Sequence, residues 1–397
     1  MKRIIPLLLL MLLLLALPAQ AQEAEDLTPL CGILVGSKAI TVGRLSDRDY
    51  DTVWLGDNAG KNITINSPKN IHGLYICWAE TPRDFVLEEK VDGQWRETLI
   101  KARPFKHDYY PISGATEVRL KPAGNSRKWF GVAELFVLGA GDLPPYVQTW
   151  KEPGLSCDLL LLHAHPDDEV LFFGGTLPHY AGELKKNVVV AALTSSRPLR
   201  ESELLNSLWK TGVRNYPVIG SFYDKHSLKL KTAYEIAGKN KAQRFAVELL
   251  RRYKPQVVVT HDVKGEYGHG MHQLCADLML YAFDVAADPQ KYKDTATQYG
   301  AWQMSKLYLH LYRENPLVMD WDQPLSAFSG QTAFEVAQDA YRMHVSQQRY
   351  KQYKVEPRDS DYSSYHYGLA RTTVGPDVAQ NDFLENIVAN PYQVEGQ

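Results

Sequence analysis

The stretch that decides the fold is Asp158-Leu-Leu-Leu-Leu162-His163-Ala-His165-Pro-Asp167-Asp168-Glu169. Four consecutive leucines cannot alternate between an apolar and a wet face, so the run reads as a strand covered on both sides, as in a parallel sheet. Two more runs of this kind follow, Asn187-Val-Val-Val-Ala-Ala-Leu193 and Gln256-Val-Val-Val-Thr260. Helical stretches predicted over Glu201–Thr211 and Lys241–Tyr253, and another after His272, lie between and beyond them. Strands alternating with helices imply an α/β module with a doubly wound, mostly parallel sheet. Ligands of such a sheet sit beyond the carboxyl ends of its strands.

Polar chemistry begins where the apolar runs stop. The first run passes straight into His163, His165, Asp167, Asp168 and Glu169. The third passes into Thr260-His261-Asp262 and then Gly265-Glu-Tyr267-Gly-His269-Gly-Met-His272. Both clusters therefore fall at one sheet edge. Imidazole and carboxylate together suit a divalent metal such as zinc, whose catalytic sites keep three protein ligands and an open position. His165 and Asp168, three apart across a Pro-led helix start, can turn towards one ion, and His272 can close the set. Asp167 and His269 then stand free beside it. A carboxylate there is a natural general base, and a second imidazole can stabilise an oxyanion or protonate a leaving amine.

The pairing of AHPDDE with GEYGHGMH resembles the PIG-L/LmbE-type zinc-dependent de-N-acetylases, over roughly residues 155–390. The resemblance implies a Rossmann-like fold and one Zn2+ per chain, held by His165, Asp168 and His272. It implies Asp167 as base, His269 as acid or oxyanion partner, and Tyr267 against the tetrahedral intermediate. It also implies Arg200, in Arg200-Glu-Ser-Glu203 ahead of Gly212, and Asp224 as residues that meet substrate. His344-Val-Ser-Gln347 is similar to a stretch of secreted relatives, with His344 and Ser346 read as structural. Gly270 stands where the family has Pro, which is expected to loosen that loop without removing a ligand. Glu169 reads as a first-turn helix acid. His163 reads as a packing or supporting residue, and His261 and Asp262 as supports for the second loop.

Residues 31–140 carry a different period. Ile63-Thr-Ile65, Gly73–Trp78, Phe85–Lys90, Thr116–Leu120 and Phe130–Leu138 read as short strands, with Asp92-Gly93 a hairpin turn. Short strands at close spacing imply an all-β sandwich. The segment Leu45-Ser-Asp-Arg-Asp-Tyr-Asp-Thr-Val-Trp54, the Trp78 strand and Glu134-Leu-Phe-Val137 make the module similar to the discoidin-like (coagulation-factor type C) jelly roll. That likeness implies carbohydrate binding through loops at one end. Gly139–Tyr146 reads as the linker to the α/β module at 150–390.

Residues 1–21 have the form of a signal peptide: Lys2 and Arg3, an apolar run from Ile4 to Leu17, then Ala19-Gln-Ala21. The apolar run is too short for a membrane anchor, and no later stretch is long and apolar enough to span a bilayer. A secreted, periplasmic or cell-surface protein is expected. A formal charge of −2 over 397 residues offers no basic excess for nucleic acid. Cys31, Cys77, Cys157 and Cys275 allow two disulfides in three pairings, or four buried thiols. The reading as a whole is a zinc-dependent hydrolase that removes acetyl from N-acetylglucosamine-type glycans or glycoconjugates. Two others stay open: a non-catalytic glycan-binding surface protein, and a zinc amidase acting on another small amide conjugate.

Overall fold

In the computed structural model, residues 22–35, 42–56, 62–124, 130–195 and 197–388 are described. Residues 1–21, read above as a signal peptide, lie outside them. Among the described residues seven antiparallel strands form the first module: β1 (Gly32–Val35), β2 (Trp54–Gly56), β3 (Ile63–Trp78), β4 (Phe85–Val91), β5 (Gln94–Ile100), β6 (His107–Pro122) and β7 (Phe130–Leu138). The two short strands expected at 63–65 and 73–78 are one 16-residue strand, β3. Its ladder with β6 shifts register between Asn66 and Gly73. The first part of β3 also pairs with β1 and the last part with β7, so the strand bends from one layer of the sandwich into the other. Leu74, Ile76 and Trp78 face the main core, while Tyr75 and Cys77 face a smaller cluster that includes Val147. The Asp92-Gly93 turn joins β4 to β5 with both residues at positive φ.

The second module is a seven-stranded sheet in the order β10-β9-β8-β11-β12-β14-β13. The strands are β8 (Cys157–His163), β9 (Val188–Ser195), β10 (Val218–Tyr223), β11 (Pro255–Thr260), β12 (Lys306–His310), β13 (Pro316–Val318) and β14 (His366–Thr372). The first five named in that order run parallel, and β14 and β13 are antiparallel additions. Among the described residues seven α-helices accompany the sheet: α1 (Asp168–Leu171), α2 (Pro198–Lys210), α3 (Leu230–Ala237), α4 (Lys239–Tyr253), α5 (Gly270–Val285), α6 (Lys293–Tyr299) and α7 (Ala333–Tyr341). Leu159 and Leu161 pack with α2 and α7 on one face, and Leu160 and Leu162 with α3, α4 and α5 on the other. That double covering is why the strand carries no polar alternation. Cys31, Cys77, Cys157 and Cys275 are all free thiols, the last two buried in the α3–α5 core. Among the described residues, no helix is long and apolar enough to cross a membrane.

Candidate metal and catalytic site

Several chain segments meet at the carboxyl edge of the sheet, and three of them carry the candidate histidines and carboxylates. β8 ends at His163 and the backbone turns sharply at Asp167, which takes φ 118° and ψ −28° before α1 begins. A non-glycine residue in that region costs about 1–3 kcal/mol, and such strain survives only where the surroundings enforce it. Here the Asp167 N–H donates to Glu169 Oε2 at 2.7 Å, and Arg200 Nη2 sits 3.0 Å from Asp167 Oδ2. Arg200 also donates to the Pro166 carbonyl. The second segment, 265–272, enters α5 through His269, whose Nδ1 accepts from the Met271 N–H. The third is the end of β10, which delivers Asp224.

His165 Nδ1, Asp168 Oδ2 and His272 Nε2 form a triangle with sides of 3.1, 3.3 and 3.4 Å. Zinc bonds of about 2.0–2.2 Å place two ligand atoms of a tetrahedron about 3.3–3.5 Å apart, so the three donors fit one small divalent ion. Two other groupings share His272: His165 with His269, and Asp168 with His261. His261 is already committed. Its Nε2 accepts from the Ala164 N–H at 3.1 Å and its Nδ1 lies 2.7 Å from Glu266 Oε2. His269 Nδ1 is committed to Met271 in the same way.

The triangle pairs a cation-favouring His165 and an ionised Asp168 with a His272 that burial and the neighbouring His261 lower to about 4. Burial opposes ionisation of His165, yet Asp168 outweighs it and raises the imidazole to about 10. Burial likewise opposes the Asp168 carboxylate, but His272 and His165 hold it well below the ordinary range. A bound cation would displace such protons. The opposite applies to His269, which burial and its imidazole neighbours lower to about 3. With Nδ1 accepting, its single proton resides on Nε2. Asp167 is pushed up by burial to about 7, against the pull of Arg200.

These donors line a cavity of about 520 Å³, together with Asp167, Arg200, Asp224, Tyr267 and His269. A larger cavity, about 710 Å³, lies across Tyr267 and contains none of the metal-ligand candidates. Tyr267 is 40% exposed, in left-handed conformation at φ 42°, with its ring against Phe172, Tyr353 and Tyr362. Residues 160–283 of the chain match the family described as PIG-L: GlcNAc-PI de-N-acetylase. The second module contains a PIG-L-type domain.

The chain is similar to 1D-myo-inositol 2-acetamido-2-deoxy-alpha-D-glucopyranoside deacetylase 1 of Frankia alni, 32% identical over 177 residues. That match takes in 37% of this chain and spans only 60% of the relative. The N,N'-diacetylchitobiose deacetylase of Pyrococcus horikoshii shares 17% identity at a TM-score of 0.37, over 48% of this chain and 71% of that one. An F5/8 type C domain from Bacteroides fragilis, at 15% identity and a TM-score of 0.26, covers 31% of this chain and 98% of its own.

Within the PIG-L-type domain the structure brings every residue singled out from the sequence to one edge, with some changed surroundings. Asp224 Oδ1 lies 3.3 Å from His165 Nε2, the ring nitrogen opposite the candidate donor atom. It therefore steadies a ligand as well as bordering the cavity. Gly270 does not loosen its loop: its N–H, which Pro would lack, donates to the Ser227 carbonyl at 2.7 Å. A Cβ at 270 would also meet the Ser227 side chain. Glu169 is fully buried and holds Ser207 and His344 at 2.7 Å each, besides the Asp167 amide. Ser346 bonds Glu203 of α2, and His163 Nδ1 meets the His165 carbonyl at 2.8 Å. The Asp262 N–H donates to Glu266, as a loop support should.

Sequence reasoning missed Glu266 and His310. Glu266 is fully buried with His261, His272 and His310 at 2.7, 2.8 and 2.5 Å. The one signal for it was an acid inside a His-bearing loop. His310 had none, because it ends β12, a strand that sequence periodicity did not separate from its surroundings.

Proposed function

We propose that the chain is an exported zinc-dependent N-deacetylase that hydrolyses the acetamide of N-acetylglucosamine-type glycans or glycoconjugates. The observation that carries this reading is the His165/Asp168/His272 triangle beside Asp167 in a domain of the PIG-L type. Two imidazoles, one carboxylate and an open side suit zinc. Held there, the ion would supply Lewis acidity to the amide carbonyl and to the attacking water.

The remaining work belongs to side chains. Asp167, poised near neutrality, takes a proton from the water as its oxygen bonds to the carbonyl carbon. Arg200 favours the ionised form of that carboxylate and fixes its direction. The negative charge that gathers on the former carbonyl oxygen faces the Nε2–H of His269 and the hydroxyl of Tyr267. A neutral imidazole suits this task, since it donates a hydrogen bond without first needing a proton. Asp167 then passes its proton to the amine nitrogen as the C–N bond breaks, leaving acetate and a free amino sugar. This gives His269 the oxyanion role rather than the acid role.

Acetate release from a panel of N-acetylated amino sugars and oligosaccharides, by protein stripped of metal and then reloaded with zinc, tests the reading. Zinc-restored acetate and amine in equal amounts support it. No acetate from any member of the panel by zinc-loaded protein would overturn it.

A further inference from the structure

The residues Phe105 and Lys106 join β5 to β6 in the sandwich, where the Lys106 carbonyl accepts from the Trp78 N–H and Arg103 lies over the Phe105 ring, yet both residues also reach into the PIG-L-type module. Phe105 is 1% exposed and counts among the core residues on the α2 face of the second sheet. Its ring stacks on Tyr216 with centroids 4.7 Å apart. The Lys106 N–H donates to Tyr216 Oη at 3.0 Å. The Lys106 ammonium pairs with Glu201 in the first turn of α2, both side chains largely buried.

The rest of α2 is gripped along the same side. Asn206 accepts from Gln148 at 2.7 Å, and Trp209 donates to the Pro145 carbonyl at 2.9 Å. Other α2 residues reach the catalytic edge: Arg200 pairs with Asp167, Ser207 with Glu169, and Glu203 with Ser346. The helix is thus a beam, with the sandwich and linker on one flank and the support of Asp167 on the other.

We infer that the Phe105–Lys106 corner is a positioning element for Arg200, and through it for Asp167, with α2 as the rigid connection. Resting on the reading of Asp167 as the base, this gives the sandwich a part in turnover that requires no bound glycan. A partly buried ion pair is a poor source of net stability but holds direction well, and truncating one partner leaves the other charge uncompensated. Displacing a catalytic group by as little as 1 Å can cost on the order of 100-fold in rate.

The test uses full-length, zinc-loaded protein and a small soluble N-acetylglucosamine derivative. Lys106→Met should lower kcat by roughly 10- to 100-fold with KM little changed. Zinc content and cooperative unfolding should persist. Amide hydrogen exchange over residues 198–210 should quicken. The charge-reversed pair Lys106→Glu/Glu201→Lys should recover most of kcat and of the protection, which a generic loss of packing would not allow. Unchanged kcat and exchange in Lys106→Met, or a folded reversed pair as slow as the single variant, would overturn the inference. The exchange arm stands even if the wild-type protein releases no acetate, so failure of the proposed activity is distinguishable from failure of the beam.

Discussion

Glu266 and His272 lie 2.8 Å apart, carboxylate to Nδ1, with both side chains shut away from solvent. The contact leaves His272 Nε2 free to face Asp168 and His165, so the carboxylate selects the tautomer of a candidate metal ligand. Two further imidazoles, His261 and His310, meet the same carboxylate. Such outer partners commonly matter about 10–100-fold to metal affinity. Glu266→Gln should therefore weaken zinc binding by about that factor, measured by competition with a chromogenic chelator. Unaltered affinity would remove Glu266 from the metal site.

The ligand assignment separates four residues that share one cluster. His165→Ala, His272→Ala and Asp168→Asn should each lose most bound zinc, read by atomic emission, because a three-ligand site does not tolerate losing one. His261→Ala should keep zinc near one per chain and lose stability instead, since its ring serves Ala164 and Glu266. Zinc lost from His261→Ala as fully as from His165→Ala would redraw the set.

Asp167→Asn should retain zinc and lose about 10²–10⁴-fold in rate, the usual worth of a general base. Metal loss equal to that of Asp168→Asn would merge the two roles.

The acidity of Asp167 sets a direction for pH dependence. A base works only when deprotonated, so acetate release should be full above its pKa and fall as pH drops through it. Burial outweighs the pull of Arg200 and leaves that pKa at about 7, and a cation beside the carboxylate lowers it further. The acidic limb of kcat/KM should lie at or below about 7, and Arg200→Met should move it upward by removing a charge that favours the carboxylate. A limb that ignores Arg200 would assign the titration to another group.

Phe105 links the modules through packing alone. Phe105→Ala should cost about 3–5 kcal/mol in urea unfolding, as large-to-small changes at buried aromatics do. A fragment cut within Gly139–Tyr146 should for the same reason be less stable than the intact chain. A fragment as stable as the whole protein would show that Phe105 merely rests on the surface of its neighbour.

The α/β sheet and the edge at which chemistry collects are legible in the residue pattern. Short unbroken apolar runs such as Leu159–Leu162, alternating with helical stretches, read as strands covered on both faces, and the polar residues that follow then emerge together at their carboxyl ends. His165, Asp168, His272 and Asp167 were legible for that reason. Glu266 and Glu169 were not, because a carboxylate is buried only where partners satisfy it, and those partners lie far along the chain. His310 is 44 residues from Glu266, and His344 is 175 from Glu169. Phe105 and Lys106 likewise read as part of a sandwich loop until folding set them against Tyr216 and Glu201. Local pattern records which residues a strand or helix hides from water. Which distant groups meet there is set by long-range packing, and with them the tautomer, the charge and the direction of each side chain in the site.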